Sequence, residues 1–156
     1  MKKFGTFESS EELNKAAEGL LQEGDLKSLK ELAKENGIPG GMVTGFIEGK
    51  GPFSDPVTAA IGKLETELAE FDETAKGYMS RLVEYLTSKC EKEKFAEEVM
   101  KKDRTLKNFE KMWLKEAKSR VKVRKGQQVV CMTEPEVFQE ARRFFGKGRY
   151  PWKKQK

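Results

Sequence analysis

Apolar residues recur along this chain at intervals of three and four, the spacing that places them on one face of an α-helix. Leu13, Ala17 and Leu20 show this pattern in the first such stretch, with polar residues between them. Serine, threonine, aspartate, proline and glycine at the ends of the stretches are typical helix starts and stops. The pattern predicts eight helices, which begin at or just after Ser9, Asp25, Pro39, Asp55, Asp72, Glu91, Arg104 and Thr133.

The hydrophobic pattern changes between Arg120 and Cys131. The β-branched residues of this segment lie on both sides of Gly126, a spacing that favours a short β-hairpin or an extended loop. They are Val121, Val123, Val129 and Val130. We therefore predict an all-α bundle of short, glycine-punctuated helices, with one optional hairpin near residues 120–131.

Glycine and proline between the helices suggest how the chain is divided. Residues 1–50 are predicted to form an N-terminal three-helix unit, because three short helices there are separated by glycine. A turn with Gly51 and Pro52 precedes a larger helical unit over residues 55–146. Residues 147–156 form a basic tail in this scheme.

Composition excludes several classes of protein. The chain has 156 residues, a mean hydropathy of −0.74 and no histidine. Without histidine there is no Ser-His-Asp triad, Cys-His pair or His-ligated metal site. No apolar run approaches the roughly 18 residues of a membrane span, and no signal-peptide core follows Met1. Cys90 and Cys131 are expected to be reduced thiols in a cytoplasmic protein.

We expect no enzyme activity, catalytic residue, cofactor or metal. The main alternative is the carboxylate cluster between Glu65 and Glu73, from which a hydrolase or a Mg²⁺ site could draw two ligands. Clusters of this kind are usually solvated helix faces, which is the interpretation we favour.

Charge is distributed unevenly along the chain. Residues 1–100 contain 13 Lys and Arg against 20 Asp and Glu, and residues 101–156 contain 18 against 6. The formal net charge of +5 is therefore the difference between an acidic part of −7 and a basic part of +12. Such asymmetry indicates either an anionic partner or the docking of the basic helices on the acidic ones.

The seventh predicted helix has two distinct faces. At about 100° per residue, five cations share a stripe about 80° wide, and Phe109 and Trp113 fall opposite it. The five are Arg104, Lys107, Lys111, Lys115 and Lys118. Cations about 5–6 Å apart could follow the phosphates of a nucleic acid or an acidic protein surface. A solvated face is the alternative.

Two further groups of cations extend this basic character. Arg120, Lys122, Arg124 and Lys125 follow the stripe directly. Near the C-terminus, Arg142, Arg143, Lys147 and Arg149 are followed by Tyr150 and Trp152. Aromatic residues beside cations can stack on exposed bases, but these two can equally anchor the tail to the core. We favour the anchor.

Two parts of the chain resemble known proteins. The segments Phe4–Ser9, Leu32–Pro39 and Asp55–Lys63, together with Glu23-Gly24-Asp25, are similar to the N-terminal part of small helical proteins of phages and mobile elements in Gram-positive bacteria. The second part resembles the PcfK-like family, in which a cysteine start, a Lys-Thr-Leu helix and an acidic-Val-Phe helix recur. It comprises Cys90, Phe95-Ala96, Val99, Lys102, Thr105-Leu106, Ala117, Met132–Phe138, Ala141 and Phe144-Phe145.

The PcfK-like resemblance implies a function that composition alone does not. That family includes type II-A anti-CRISPR proteins, which inhibit Cas9, so the resemblance implies a non-enzymatic binding protein in the bacterial cytoplasm. Its partner would be a Cas9-type effector or the guide RNA and DNA of that effector, and the oligomeric state stays open. The chain departs from the pattern at Glu93-Lys94 and at Gln139–Ala141, where the family has an aspartate and Trp-Ala. The alternative is a DNA- or RNA-binding accessory protein of phage or conjugative-element replication.

Overall fold

A computed structural model describes residues 2–123 and 132–147, and it describes side chains outside residues 120–123. Within these ranges the chain is all-α, as predicted, and contains no strand. The helices are α1 (Ser10–Gln22), α2 (Leu26–Glu35), α3 (Gly40–Ile47), α4 (Pro56–Ala69), α5 (Glu73–Lys89), α6 (Glu93–Val99), α7 (Leu106–Val123) and α8 (Glu134–Lys147).

Four of the predicted helix starts are confirmed by their side-chain caps. Ser9, Asp25, Asp55 and Asp72 each accept a hydrogen bond from the backbone N–H three residues further on, at 2.7–3.2 Å. Each cap satisfies a donor that the first helical turn leaves without a partner. The starts of α1, α2, α4 and α5 are therefore determined by residues within one turn.

The hairpin prediction is wrong for the residues that can be compared. The α7 helix continues through Val123, so residues 120–123 are helical, and residues 124–131 lie outside the described part of the chain. Extending an existing helix adds one hydrogen bond for each residue fixed, without a new nucleation cost. The preference of Val121 and Val123 for a β-strand does not outweigh that gain.

One hydrophobic cluster runs through the described helices. It includes Leu13 of α1, Leu32 of α2, Leu64 of α4, Leu86 of α5 and Phe145 of α8, all fully buried. The predicted N-terminal unit and the larger unit therefore share a core in this structure. No helix in the described ranges is long and apolar enough to cross a membrane.

Two glycines allow α2 and α4 to meet at backbone distance. Gly37 ends α2 in a left-handed conformation, with φ of +64°, and a methyl group placed on it would lie 2.7 Å from Cα of Gly62. A methyl group on Gly62 would collide with the carbonyl oxygen of Asn36. The contact is closed by backbone atoms on both sides, so neither glycine has room for a side chain.

Candidate anion-binding surface

Four lysines of α7 form the exposed row that the sequence predicted: Lys107, Lys111, Lys115 and Lys118, called here the lysine row. Lys107 pairs with Glu70 of α4 at 3.3 Å, and both side chains are at least half exposed. The other three have no ion-pair partner among the residues that the structure describes. Since surface pairs contribute little, even the Lys107–Glu70 pair leaves the row available to an outside anion.

The opposite face of α7 holds the row outward. Leu106 and Phe109 are fully buried, and the ring of Phe109 packs against those of Phe144 and Phe145 of α8. Further along, Trp113 meets Tyr78 of α5 edge to face at 5.4 Å between ring centroids. The predicted inward position of the aromatic residues is confirmed, and it fixes which side of α7 the lysines present.

Tyr78 adds a polar contact to this packing. Its hydroxyl donates a hydrogen bond of 2.8 Å to Glu110 of α7. Burial and this hydrogen bond raise the pKa of Tyr78 to about 12. The phenol therefore stays protonated and keeps the contact at physiological pH.

The start of α7 is fixed by two charged residues of α4. Lys63 donates hydrogen bonds to the carbonyl oxygens of Val99 at 2.5 Å, Arg104 at 2.7 Å and Lys101 at 3.3 Å, around the turn that joins α6 to α7. Glu67 accepts the backbone N–H of Leu106, the first residue of α7, at 3.0 Å. The Lys63 ammonium thus contacts carbonyl oxygens at and after the end of α6, and the Glu67 carboxylate contacts the N-terminus of α7. Each charge is opposite in sign to the backbone dipoles that it meets, so both contacts are favourable.

These two α4 side chains are largely buried and lie 3.9 Å apart, each about 14% exposed. Burial lowers the pKa of Lys63 to about 8, although the neighbouring Glu67 carboxylate opposes the shift. Burial also raises the pKa of Glu67 above its usual range, and Lys63 opposes that shift. Desolvation dominates in both cases because each charge is removed from water.

Arg104 does not join the exposed row. It precedes α7 and points inward: its guanidinium pairs with the carboxylate of Glu98 and donates to the backbone oxygens of Glu98 at 3.1 Å and Phe145 at 3.0 Å. Its side chain is only 12% exposed. The prediction that Arg104 lies on the outer stripe is wrong, because this residue instead ties the end of α6 to α8.

A second concentration of positive charge lies between α6 and α8. The α6/α8 groove has a volume of about 760 Å³ and is open to solvent. Its cations come from both sides: Lys92 and Lys94 at the start of α6, and Arg142, Arg143 and Lys147 near the end of α8. Arg143 pairs with Glu140 at 2.9 Å, and the other four have no ion-pair partner in the described ranges.

The ring of Phe95 forms an apolar part of this groove. It lies against the backbone of α8, since a methyl group on Gly146 would come within 3.0 Å of Cε2 of Phe95. Glu98 is the acidic residue lining the groove, and it is already bound by Arg104 and Lys101. Those hydrogen bonds, from Lys101 first and from Arg104, lower the pKa of Glu98. Its negative charge is therefore engaged inside the protein.

A second groove lies beside the lysine row. The turn groove, of about 790 Å³, is lined by Lys101, Lys102, Arg104 and Lys111, with Asp103 and Glu8 as the acidic members. Lys111 belongs to the lysine row, and Arg104 is bonded to Glu98 of the α6/α8 groove. Lys111 thus belongs to both the lysine row and the turn groove, whereas the turn groove and the α6/α8 groove share no lining residue and are linked through the largely buried Arg104. The row and the two grooves together are called here the basic surface.

Several predicted site residues cannot be placed on this surface. Arg120 and Lys122 lie on the α7 helix, but their side chains are not described. Arg124, Lys125 and Arg149 lie outside the described residues. The predicted second basic patch is represented by Arg142, Arg143 and Lys147, which the structure brings together with α6.

Sequence reasoning missed four lysines of this surface: Lys92, Lys94, Lys101 and Lys102. Lys92 and Lys94 alternate with Glu91 and Glu93, so the local net charge gives no signal. Lys101 and Lys102 belong to the basic segment but precede the helical stripe. The fold gathers all four because α6 is short and packs on α8.

The carboxylates between Glu65 and Glu73 serve structural contacts. Glu67 binds the start of α7, Glu70 pairs with Lys107, Asp72 caps α5 and Glu73 pairs with Lys76. Among the described residues, no group of three or more acidic or cysteine side chains is placed to hold a metal ion.

We compared the chain with known proteins at three levels: no protein-family model, no curated protein and no solved structure matches it.

Proposed function

We propose that this protein inhibits a Cas9-type effector by stoichiometric binding in the bacterial cytoplasm, and that its basic surface meets the guide RNA or DNA of that effector. The observation that carries the proposal is the unpaired part of the lysine row: Lys111, Lys115 and Lys118 are exposed and lack an acidic partner among the described residues. The resemblance to the PcfK-like family supplies the choice of effector.

The charge distribution supports binding to a nucleoprotein. A Cas9-type effector holds its RNA–DNA heteroduplex in a positively charged channel. The acidic N-terminal two-thirds of this chain suits the channel wall, and the basic surface suits the nucleic acid. The net charge of +5 is inconsistent with mimicry of DNA by the whole protein. Either contact would block target binding or cleavage.

A cleavage assay tests this proposal. Purified type II-A Cas9, loaded with guide RNA, is mixed with increasing amounts of the protein before target DNA is added. We expect inhibition that saturates near an equimolar ratio, and weaker inhibition by the K111E/K115E/K118E variant. The K30Q/K34Q variant, which neutralises exposed lysines of α2, is the control and should inhibit at least as strongly as the wild type, because it makes the acidic part of the chain more negative. Full cleavage at molar excess across type II-A effectors would contradict the proposal.

The second candidate is a DNA- or RNA-binding accessory protein of phage or conjugative-element replication. It is favoured by the exposed cations of the lysine row and of the two grooves, which could bind the phosphates of a nucleic acid without any protein partner. In that case the protein alone should retard plain DNA on a gel at low salt, and replacing Lys107, Lys111, Lys115 and Lys118 by Glu should abolish the shift. Unchanged mobility of the DNA would exclude this candidate.

A further inference from the structure

The α6/α8 groove differs from the lysine row in shape, and this difference points to its ligand. A row on one helix presents charges in a line to solvent. The groove instead has cations from two helices and, in its lining, the partly buried ring of Phe95. Its volume of about 760 Å³ lies within the range of about 300–1,000 Å³ that ligand sites occupy.

We propose that the α6/α8 groove binds an unpaired segment of nucleic acid, with phosphates on its cations and one base against the ring of Phe95. This assignment rests on the proposed function, because it specifies how the basic surface would contact nucleic acid. It adds a site for single strands that the lysine row by itself does not provide.

The charges available in the groove support a phosphate ligand. Lys92, Lys94, Arg142 and Lys147 are exposed and have no ion-pair partner in the described ranges. Of the acidic residues nearby, Glu98 is engaged by Lys101 and Arg104 and Glu140 by Arg143, while the exposed Glu91 and Glu93 form no ion pair with these cations in the described ranges. Four cations thus remain for a ligand, and a guanidinium among them can bind a phosphate through two hydrogen bonds.

The aromatic ring favours a nucleic acid over an acidic peptide. Single-strand sites combine a positive groove with aromatic side chains on which bases stack. A duplex keeps its bases paired inside and offers none to Phe95. An acidic peptide would engage the cations but gain little from the ring.

The experiment measures binding of fluorescein-labelled 12-nucleotide single strands, oligo-dT and oligo-U, to the full chain by anisotropy at several salt concentrations. The K94Q/R142Q variant removes one cation from each wall of the groove. We expect it to bind at least tenfold more weakly at low salt. The slope of log affinity against log salt should fall by about 0.7 for each phosphate that the variant no longer neutralises. The matched control, K30Q/K34Q, removes the same charge from α2 and should change affinity less than twofold.

The F95L variant tests the stacking contact separately. We expect about five- to a hundredfold weaker binding with an unchanged salt slope, because the variant neutralises the same phosphates as the wild type. Circular dichroism and thermal melting of each variant report whether it folds. If F95L fails to fold, F95Y should fold and bind as the wild type does.

The alternatives give different results. Equal losses in K94Q/R142Q and K30Q/K34Q would overturn the groove assignment, as would tighter binding of a blunt duplex or of polyglutamate than of the single strands. Strand binding that depends on the lysine row but not on the groove would also overturn it and leave the proposed function standing. Groove-dependent strand binding without inhibition of Cas9 would instead overturn the proposed function and keep the groove.

Discussion

At the scale of single residues, Lys63 is where burial and charge conflict most directly. Its ammonium group holds three backbone carbonyls of the α6–α7 turn, yet it is largely removed from water. Its pKa is about 8 in the folded protein, against 10.5 for a lysine side chain in water. Because the unfolded chain holds this proton more tightly, the Lys63 contribution to stability is fully present above pH 10.5 and is lost as the pH falls through about 8.

The K63M variant measures that contribution. Urea unfolding of the wild type and of K63M, from pH 7 to pH 10.5, gives the difference in unfolding free energy at each pH. We expect this difference to shift in favour of the wild type by roughly 3 kcal/mol over the range, since one pKa unit corresponds to about 1.4 kcal/mol. K15M, which removes an exposed lysine of α1, is the matched control against which the K63M difference is compared. A constant difference for K63M would contradict the burial argument.

Cys90 illustrates the effect of burial on reactivity. It is fully buried at the end of α5, and burial raises the pKa of its thiol to about 11. Because the thiolate is the reactive form, we expect native Cys90 to react with a maleimide at pH 8 at least about a hundredfold more slowly than a peptide thiol. The C131S variant isolates Cys90, and the same reaction in denaturant is the control. Labelling at the peptide rate without denaturant would contradict this prediction.

At the scale of helices, features that depend on residues within one turn were predicted from the sequence, and features that depend on residues far along the chain were not. The caps at Ser9, Asp25, Asp55 and Asp72 were predicted because each acts on a residue three positions away. The inward turn of Arg104 depends on Phe145, which is 41 residues later in the chain. The α6/α8 groove escaped prediction for the same reason, since its two walls are far apart in sequence. Helical periodicity carries no information about such contacts.

The meeting of α2 and α4 at Gly37 and Gly62 gives a prediction at this scale. G62A would place a methyl group on the backbone of Asn36 and Gly37, which cannot move without shifting α2. We expect thermal or urea unfolding to show a loss of about 3 kcal/mol, at the upper end of the usual cost of overpacking. G77A, on an open face of α5 with nothing within 4 Å, should instead stabilise by up to about 1 kcal/mol. Equal effects of the two substitutions would show that the close approach is absent.

At the scale of the whole molecule, the question left by the sequence was whether the basic part docks on the acidic part or faces a partner. In the described ranges, Lys107–Glu70 is the ion pair that connects the lysine row to the acidic helices, and it is exposed. A second exposed ion pair joins Arg81 of α5 to Glu134 of α8. In this pair the cation belongs to the acidic part of the chain and the anion to the basic part. Neither pair uses Lys111, Lys115 or Lys118. In the described ranges the geometry therefore gives no support to self-docking of these three lysines.

The unfolding free energy of the K111Q/K115Q/K118Q variant distinguishes an outward-facing lysine row from a row docked on acidic helices of the same chain. Like charges three and four residues apart on a helix repel by a few tenths of a kcal/mol, so neutralising the three lysines should leave the unfolding free energy unchanged or raise it slightly. If the row instead docked on acidic helices of its own chain, the same substitutions would lower it. Urea unfolding at low and at high salt measures the change. The repulsion is screened at high salt, so the gain should be confined to low salt. A loss of about 1 kcal/mol or more at low salt would contradict the outward-facing row and favour self-docking.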